Sequence, residues 1–307
     1  MRIYSHPACL EHYPGPGHPE APGRLQAVLD ALEAIHPPLP KELAPQATMA
    51  ELARVHSAAM IAQVRAHAPT SGLQRIDADT AMSPDSWSAA LHAAGAGVAA
   101  VNALHARVHK RAFCAVRPPG HHATRDQAMG FCLFNNVAVA AAHALALGFK
   151  RVAIVDFDVH HGNGTQDIFW DEPRVLYVSS HQAPLYPGTG GENERGAHQN
   201  AVNGGLPGGS GGEVFRALYR NRLLPAVAAF APELLLISAG FDAHRLDPLA
   251  GLALEAEDFA WLTRELCALS ECSAQGRIVS FLEGGYSATA LKLCTTAHVR
   301  ALMETHL

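Results

Sequence analysis

The sequence alternates short apolar segments with long alanine- and leucine-rich segments, and this alternation limits the possible folds more than any other feature. The short segments predict strands at residues 2–5, 112–116, 152–156, 175–179, 234–238 and 277–282. The long segments predict helices at residues 84–109, 135–147, 213–230, 255–270 and 288–303. Strands that are apolar throughout and separated by helices form parallel sheets covered on both faces. Since no linker-like change in composition and no repeat occurs, we expect residues 1–307 to form one α/β domain.

Charge and cysteine usage exclude several classes of protein. The net charge of −5 is not typical of a chain that binds nucleic acid or an anionic membrane, so we expect neither as a partner. The sequence has no apolar run of 18 residues and no apolar N-terminal segment. Its six cysteines are scattered without a CxxC pair, which is typical of reduced thiols. We therefore expect a cytoplasmic protein.

Four polar, glycine-rich loops each follow a predicted strand, at residues 117–130, 181–212, 240–251 and 283–287. In parallel sheets the carboxyl ends of the strands meet at one edge, where ligands bind. A loop of about 30 residues without predicted structure, such as 181–212, is itself an indication of function. The sequence thus predicts a binding site at the carboxyl edge of the sheet.

The stretch VAIVDFDVHHGNGTQ, residues 152–166, begins as a buried strand and ends with carboxylates and histidines. Asp158 and His160 are two residues apart, so their side chains point the same way at a strand end. They suit Zn²⁺, which takes three protein ligands at catalytic sites, but an Asp–His hydrogen bond explains the pair equally well. Asp242, after another apolar strand, is a candidate third ligand or the N-cap of the next turn. We assign no chemical role to His161.

A metal with two carboxylate ligands needs a general base nearby, and His121 and His122 in RPPGHHA are the candidates. The alternative is that one of them is buried against a carbonyl for structural reasons. Asp156 can hydrogen-bond one of the pair and raise its basicity. Tyr286 in LEGGY follows two glycines and can polarise a carbonyl, although taken singly it is better explained as an ordinary half-buried tyrosine.

Six motifs in order, RPPGHHA, GFCLFNN, DFDVHHGNGTQ, PGTG, SAGFDAH and LEGGY, resemble those of the histone deacetylase superfamily of zinc amidohydrolases. The resemblance extends from HPEAPGRL near residue 18 to LEGGY near residue 286. The glutamate of LEGGY and the asparagine of HHGNG resemble the class II branch, which includes bacterial histone deacetylase-like and acetylpolyamine amidohydrolases. The resemblance implies an arginase-like three-layer fold with a central eight-stranded parallel sheet flanked by helices.

The resemblance also implies roles for the site residues. It places one catalytic Zn²⁺ on Asp158, His160 and Asp242. In the implied amide hydrolysis, His122 removes a proton from the attacking water and later delivers it to the leaving amine. His121, paired with Asp156, contributes electrostatically, and Tyr286 polarises the acyl carbonyl. Asn163 lies behind His122, where other branches carry an aspartate.

The family also binds one or two structural K⁺ ions. The first would use Asp156, the hydroxyl of Ser179 and the carbonyls of Asp158, His160 and Ser180. A second, more distant site is predicted around Phe169, Glu172 and Val175.

The implied substrate site is a tunnel for an extended acyl-lysine chain. Two aromatic side chains would enclose the methylene stem. The substrate-binding residues implied in this way are Gly130, Phe131, Tyr186, Leu249, Gly284 and Asp79, and Arg24 is expected to line an exit channel for acetate. For Phe131, ordinary core packing is the alternative interpretation.

Substrate choice depends on Leu249, because polyamine-specific relatives carry a glutamate there that pairs with the distal ammonium. Losing such a charge-assisted contact costs roughly 1.5–3 kcal/mol, which favours acyl-lysine or neutral acylamides. Glu20 or Asp79 is an alternative source of a carboxylate, and Asp79 can instead hold a peptide backbone.

Three functions remain open on this evidence. The first is a zinc-dependent deacylase for acyl-lysine in proteins or peptides. The second is an amidohydrolase for acetylpolyamines or other small acylamides, and the third is a non-catalytic sensor of acylated ligands. Fe²⁺ in place of zinc and assembly into a homo-oligomer are also open.

Overall fold

Ten strands form the framework of the computed structural model, which describes residues 1–304. They are β1 (Arg2–Ser5), β2 (Lys41–Leu43), β3 (Gln74–Arg75), β4 (Ala81–Met82), β5 (Arg111–Cys114), β6 (Val152–Asp156), β7 (Val175–Gln182), β8 (Ala201–Leu206), β9 (Leu234–Ala239) and β10 (Ile278–Leu282). Eight of them make one parallel sheet in the order β2-β1-β5-β10-β9-β6-β7-β8, while β3 and β4 form a small antiparallel pair. The last three residues of the predicted domain, 305–307, lie outside the described residues.

Helices cover the sheet. They are α1 (Ala8–Glu11), α2 (Pro22–Glu33), α3 (Met49–Leu52), α4 (Ala58–Ala66), α5 (Ser86–His105), α6 (Asn136–Ala146), α7 (Asn163–Ile168), α8 (Gly212–Leu218), α9 (Leu224–Phe230), α10 (Ala256–Ser273) and α11 (Ala288–Met303). Helices α5 and α6 pack together, and α2, α10 and α11 form a second group. Because every residue of β6, β9 and β10 is buried, both faces of the sheet are covered. The predicted fold of one α/β domain with an eight-stranded parallel sheet is confirmed.

The prediction for residues 181–212 as one long loop was wrong. Strand β7 continues to Gln182, and β8 lies within the predicted loop. Strand β8 has the sequence AVNGGL, and glycines lower the strand signal. It forms because its backbone pairs with β7 over six residue pairs, from Tyr177 with Ala201 to Gln182 with Leu206. The short edge strand β2 was missed for a similar reason, since it is partly exposed and only three residues long.

The predicted helix 213–230 is interrupted by a π-helical turn at Tyr219–Leu223. Pro225 lies in the first turn of α9, directly after the wide turn. Proline has no N–H and its ring clashes with the carbonyl four residues earlier, so a regular α-helix cannot continue through it. The π turn moves that carbonyl away and lets the helical path continue.

The structure also bears on two features considered from the composition, membrane-spanning segments and the state of the cysteines. No helix within residues 1–304 is long and apolar enough to cross a membrane. The six cysteines are free thiols, and all except Cys272 are buried.

Candidate active site

Asp158, His160 and Asp242 meet at the carboxyl edge of the sheet, just beyond β6 and β9. The Nδ1 atom of His160 lies 3.1 Å from Asp158 Oδ1 and 3.2 Å from Asp242 Oδ2. One ligand atom from each residue lies within 4.8 Å of the other two, and all three residues are among the groups that can hold a metal. Neighbouring parallel strands bring them together, because β6 and β9 are paired in the sheet.

The donor set fits a metal ion. Within the described part of the chain, Asp242 Oδ2 is buried without a hydrogen-bond partner, which is costly unless a cation occupies the position. The backbone N–H groups of Val159 and Gly284 hold the other carboxylate oxygens, at 2.9 Å from Asp242 Oδ1 and 2.7 Å from Asp158 Oδ2. A Cβ atom on Gly284 would lie 2.0 Å from Asp242 Oδ2, so only glycine fits there. Two carboxylate oxygens and one imidazole nitrogen suit Zn²⁺ with an open coordination position.

Gly284 thus donates a hydrogen bond to the Asp158 carboxylate and leaves space for the Asp242 carboxylate. It had been predicted as a substrate contact, and it does not line the cavity described below. A direct contact between Gly284 and a substrate stays a prediction.

The two adjacent histidines differ in their partners. His121 Nδ1 lies 3.0 Å from Asp156 Oδ2, and His122 Nδ1 lies 2.8 Å from Asn163 Oδ1. The imidazole rings are 4.0 Å apart, and both are buried. The predicted pairs of histidine with carboxylate and histidine with amide therefore both exist in the structure.

The different surroundings of the two histidines shift their pKa values in opposite directions. Burial opposes the charged form of His121, but the carboxylates of Asp158 and Asp156 outweigh it and raise the pKa of His121 to about 10. Burial, followed by the positive charge of the neighbouring His121, lowers the pKa of His122 well below its usual value. Without a metal on Asp158, these pKa shifts favour a charged His121 and a neutral His122 that can accept a proton.

Tyr286 faces the same site from the loop after β10. Its backbone N–H donates to Asp247 Oδ2 at 2.6 Å, and the guanidinium of Arg24 lies 4.7 Å from the centre of its ring. Burial raises the pKa of the Tyr286 hydroxyl well above its usual value, so it stays protonated and can donate a hydrogen bond. Arg24 also donates to the carbonyls of Gly285 and Glu283. Its predicted role in an acetate channel stays a prediction.

A narrow cavity of about 260 Å³ leads to these groups. Its lining consists of Asp79, His122, Gly130, Phe131, His160, Leu185, Tyr186, Leu249 and Tyr286. The ring of Tyr186 lies edge-on to His122 at 5.1 Å, and the ring of Phe131 lies edge-on to Tyr286 at 5.8 Å. Gly130 has a φ of +58°, and a Cβ there would lie 2.6 Å from the His122 ring. The predicted wall residues therefore line one cavity, together with Leu185, which was not predicted.

Glu283, the glutamate of LEGGY, is a site residue for which the sequence predicted no role. Its fully buried carboxylate accepts hydrogen bonds from the backbone N–H groups of Gly120 and His121 and from the Ser238 hydroxyl. Burial raises the pKa of Glu283 to about 7. This carboxylate connects the end of β10 with the turn that carries the histidine pair. A charged residue inside an otherwise apolar strand end was the signal in the sequence.

Glu20 is not available to a substrate ammonium, which corrects one of the alternatives above. It is fully buried, and its carboxylate binds the guanidinium groups of Arg117 and Arg24 and lies 3.3 Å from His12 Nε2. Asp79, by contrast, lies at the mouth of the cavity and is partly exposed. Among these two carboxylates, only Asp79 can meet a ligand.

His161, left without a role, has a structural one. Its Nδ1 lies 2.8 Å from Thr189 Oγ1, and its Nε2 lies 3.2 Å from Gln166 Oε1. Burial and the neighbouring His181 lower the pKa of His161 to about 3, so it is neutral. His161 therefore connects the loop that carries Asp158 and His160 to the PGTG loop, residues 187–190, which follows Tyr186 directly.

Two of the five residues predicted for the first K⁺ site lie side by side, since Asp156 and Ser179 are register partners on β6 and β7. Both are fully buried. The carbonyls of Phe169, Glu172 and Val175, predicted for the second ion, converge instead on the side-chain amide of Asn200.

A parallel α/β sheet that carries a buried carboxylate–imidazole triad at its carboxyl edge is an arrangement typical of α/β metallohydrolases. Residues 18–302 match the family described as histone deacetylase domain. The chain therefore belongs to the histone deacetylase family, and it is a deacetylase-type hydrolase.

Individual relatives agree with this assignment. Histone deacetylase 14, chloroplastic, of Arabidopsis thaliana is 39% identical over 329 residues, which cover 98% of this chain and 76% of the relative. A probable deacetylase of Archaeoglobus fulgidus is 38% identical over 292 residues, which cover 93% of this chain and 81% of the relative. The crystal structure of the HDA15 HD domain matches with a TM-score of 0.92 and 35% identity, covering 98% of this chain and 87% of that one.

Proposed function

We propose that this protein is a zinc-dependent deacylase that removes acetyl or other acyl groups from the ε-amine of lysine in proteins or peptides. The observation that carries the proposal is the narrow cavity that ends at His160, His122 and Tyr286. A cavity of about 260 Å³ lined by aromatic and aliphatic side chains suits a single extended chain. The groups at its base are those that amide hydrolysis needs: a general base, a hydrogen-bond donor for the carbonyl and one ligand of the candidate metal triad, His160.

Asp158, His160 and Asp242 would hold the zinc ion. When bound, zinc supplies Lewis acidity, which polarises the acyl carbonyl and makes a nearby water easier to deprotonate. His122, neutral and buried at the base of the cavity, accepts the proton of the attacking water at Nε2, because its Nδ1 faces Asn163. The same atom then delivers the proton to the leaving amine.

His121 acts without contact with the transferred proton. A charge on His121, supported by its pairing with Asp156, opposes protonation of His122 before the reaction. The protonated Tyr286 hydroxyl donates toward the oxygen on which negative charge develops. Two contacts hold Tyr286 in place. Asp247 accepts a hydrogen bond from its backbone N–H, and the guanidinium of Arg24 lies against its ring.

The choice of acyl-lysine over acetylpolyamine rests on the mouth of the cavity. Leu249 lines the cavity and is 37% exposed. An apolar side chain therefore occupies the position at which polyamine-specific relatives carry a glutamate. Asp79 lies at the same mouth, and its carboxylate suits the backbone N–H groups of a bound peptide. Since Glu20 is buried in ion pairs, it adds no charge for a polyamine.

We extend the proposal to two accessory features. One K⁺ ion would be held behind the zinc site by Asp156, Ser179 and the carbonyls of Asp158, His160 and Ser180. The protein would act in the cytoplasm without nucleic acid or membrane as a partner, either as a monomer or as a homo-oligomer.

The test compares hydrolysis of an acetyl-lysine peptide and of N-acetylputrescine by the same enzyme preparation. We expect kcat/KM to be at least about 10-fold higher for the peptide, because no glutamate meets the distal ammonium. Chelation should abolish turnover, and Zn²⁺ should restore it. Preference for N-acetylputrescine would support the small-acylamide alternative, and turnover that resists chelation would contradict the metal-dependent mechanism. Failure of the zinc-loaded protein to hydrolyse any acyl amide would favour the third function, a non-catalytic sensor of acylated ligands.

A further inference from the structure

Three backbone carbonyls converge behind the active site, between α7 and β7. They belong to Phe169, which follows α7, to Glu172 in the connecting loop, and to Val175 at the start of β7. Carbonyl oxygens that face one point are typical of sites for a monovalent cation, because they replace its hydration shell. This is the position predicted for a second K⁺ ion.

The side chain of Asn200 occupies the point on which the carbonyls converge. Its Nδ2 atom lies 2.8 Å from the Phe169 oxygen, 3.2 Å from the Glu172 oxygen and 3.2 Å from the Val175 oxygen. Asn200 is only 5% exposed, so this nitrogen is enclosed rather than solvated. An amide nitrogen has two N–H groups, so it satisfies two carbonyls fully and shares a hydrogen with the third.

The orientation of the amide is determined by a second contact. The backbone N–H of His198 donates to Asn200 Oδ1 at 3.2 Å, which requires that the oxygen face His198 and the nitrogen face the carbonyls. The opposite orientation would place four oxygens together and an N–H group against the amide nitrogen. Asn200 itself is held directly before β8, where its carbonyl accepts a hydrogen bond from Tyr177 N at 2.8 Å.

The surrounding charges also disfavour a cation. The groove beside Phe169 is lined by Arg54, Arg125 and Arg174, with Glu172 as its only carboxylate among the described lining residues. The carboxylate of Glu172 is already bound by the guanidinium of Arg174 through bonds of 2.8 and 2.6 Å. Among the residues that line this groove, an additional cation would therefore meet three guanidinium groups and one carboxylate that is already paired.

We infer that the side-chain amide of Asn200 takes the place of the second monovalent cation, so that this chain holds no ion between Phe169, Glu172 and Val175. The side-chain N–H groups of Asn200 supply the hydrogen-bond donor that these carbonyls require. The fold between α7 and β7 therefore does not depend on a second K⁺. This inference is independent of the substrate and of the deacetylase reaction.

The direct test is anomalous diffraction from crystals of the wild-type enzyme soaked in Tl⁺, which substitutes for K⁺. We expect no Tl⁺ peak among the three carbonyls and an undisturbed Asn200 amide. A peak beside Asp156 and Ser179 would show that Tl⁺ entered the crystal, and it concerns the first K⁺ site separately. A Tl⁺ peak within coordinating distance of the three carbonyls, with Asn200 displaced, would overturn the inference.

A solution test uses Asn200→Asp, which keeps the shape and replaces the N–H donors with a carboxylate oxygen. Four oxygens would then converge, so the variant should need a cation. In choline chloride we expect a Tm lower than that of the wild type by roughly 4–10 °C, and K⁺ at constant ionic strength should restore most of the loss.

The matched control is Asn136→Asp, at the start of α6 and outside both predicted K⁺ sites. Asn136 is also buried, but its amide donates to one backbone carbonyl, that of Pro118. Its loss of Tm should not be reversed by K⁺ beyond the response of the wild type. A Tm of Asn200→Asp that responds to K⁺ no more than that of the wild type would overturn the inference.

Discussion

The carboxylate of Asp247 accepts a 2.6 Å hydrogen bond from the backbone N–H of Tyr286, and it thereby connects the loop after β9 with the loop after β10. The other oxygen of the same carboxylate accepts from Leu249 N at 3.0 Å. Burial and the nearby Asp242 raise the pKa of Asp247 to about 7. One buried side chain therefore positions both the tyrosine at the base of the cavity and the leucine at its mouth.

We expect Asp247→Ala to lower kcat by about 10- to 100-fold, because a small displacement of Tyr286 weakens its hydrogen bond to the developing charge. Steady-state kinetics with an acetyl-lysine peptide measures the change. Leu246→Ala, an exposed neighbour, is the control and should have the kcat of the wild type. An unchanged kcat for Asp247→Ala would show that Tyr286 does not depend on this contact.

Asn163→Asp should move the acid limb of the pH–rate profile to higher pH. The new carboxylate would lie against His122 Nδ1, now 2.8 Å from the amide oxygen, and would raise the pKa of His122. A base with a higher pKa becomes protonated at higher pH, so activity is lost earlier as the pH falls. We expect a shift of about one unit or more in kcat/KM against pH. Asn163→Ala, which adds no charge, should not show it, and an unmoved profile for Asn163→Asp would refute the coupling.

Glu20 should control stability in acid. Burial opposes its ionisation, but Arg117, His12 and Arg24 outweigh it and hold the pKa of Glu20 well below its usual value. A depressed folded-state pKa contributes stability that is complete above the ordinary pKa of about 4.3 and is lost as the pH falls below it.

We expect Glu20→Gln to lower the free energy of unfolding by about 3–5 kcal/mol at neutral pH, since the fully buried Arg117 loses its counter-ion. Its unfolding free energy should also vary less with pH below about 4.3 than that of the wild type. Urea denaturation at several pH values measures both effects. Glu33→Gln breaks an exposed pair with Lys41 and should change little; equal effects of the two variants would contradict this account.

The adjacent histidines His160 and His161 should respond differently to mutation. His160→Ala removes a member of the metal triad and should reduce the zinc content to near zero. His161→Ala should keep its zinc but raise the KM for a peptide, because the loop after Tyr186 loses its contact with Thr189. Elemental analysis and kinetics separate the two effects. Loss of zinc from both variants would show that His161 also supports the metal.

Leu249→Glu should increase kcat/KM for N-acetylputrescine by about 10- to 150-fold, the equivalent of one charge-assisted contact at the cavity mouth. Leu246→Glu adds the same charge to the same loop outside the cavity lining and is the control. Equal gains in both variants would indicate general electrostatic attraction rather than a specific pairing.

Much of the candidate site was predictable because its residues lie directly after apolar strands. Parallel strands have their carboxyl ends at one edge of the sheet, so Asp158, Asp242 and Tyr286 were expected to meet although they lie far apart in the chain. The order of six motifs extended this to the histidine pair and the cavity walls. The roles of Glu283 and Asp247 were not predictable in this way, since each depends on which backbone N–H groups come within reach after folding.

The sequence by itself determined the class of fold and indicated the candidate metal ligands, because apolar periodicity and the order of motifs can be read along the chain. The tertiary structure alone decided that residues 201–206 form an edge strand, that Glu20 is buried in ion pairs, and that Asn200 fills a cluster of carbonyls. These features depend on backbone pairing, burial and distances between distant segments. A pattern of residue types does not encode such distances until packing brings the segments together.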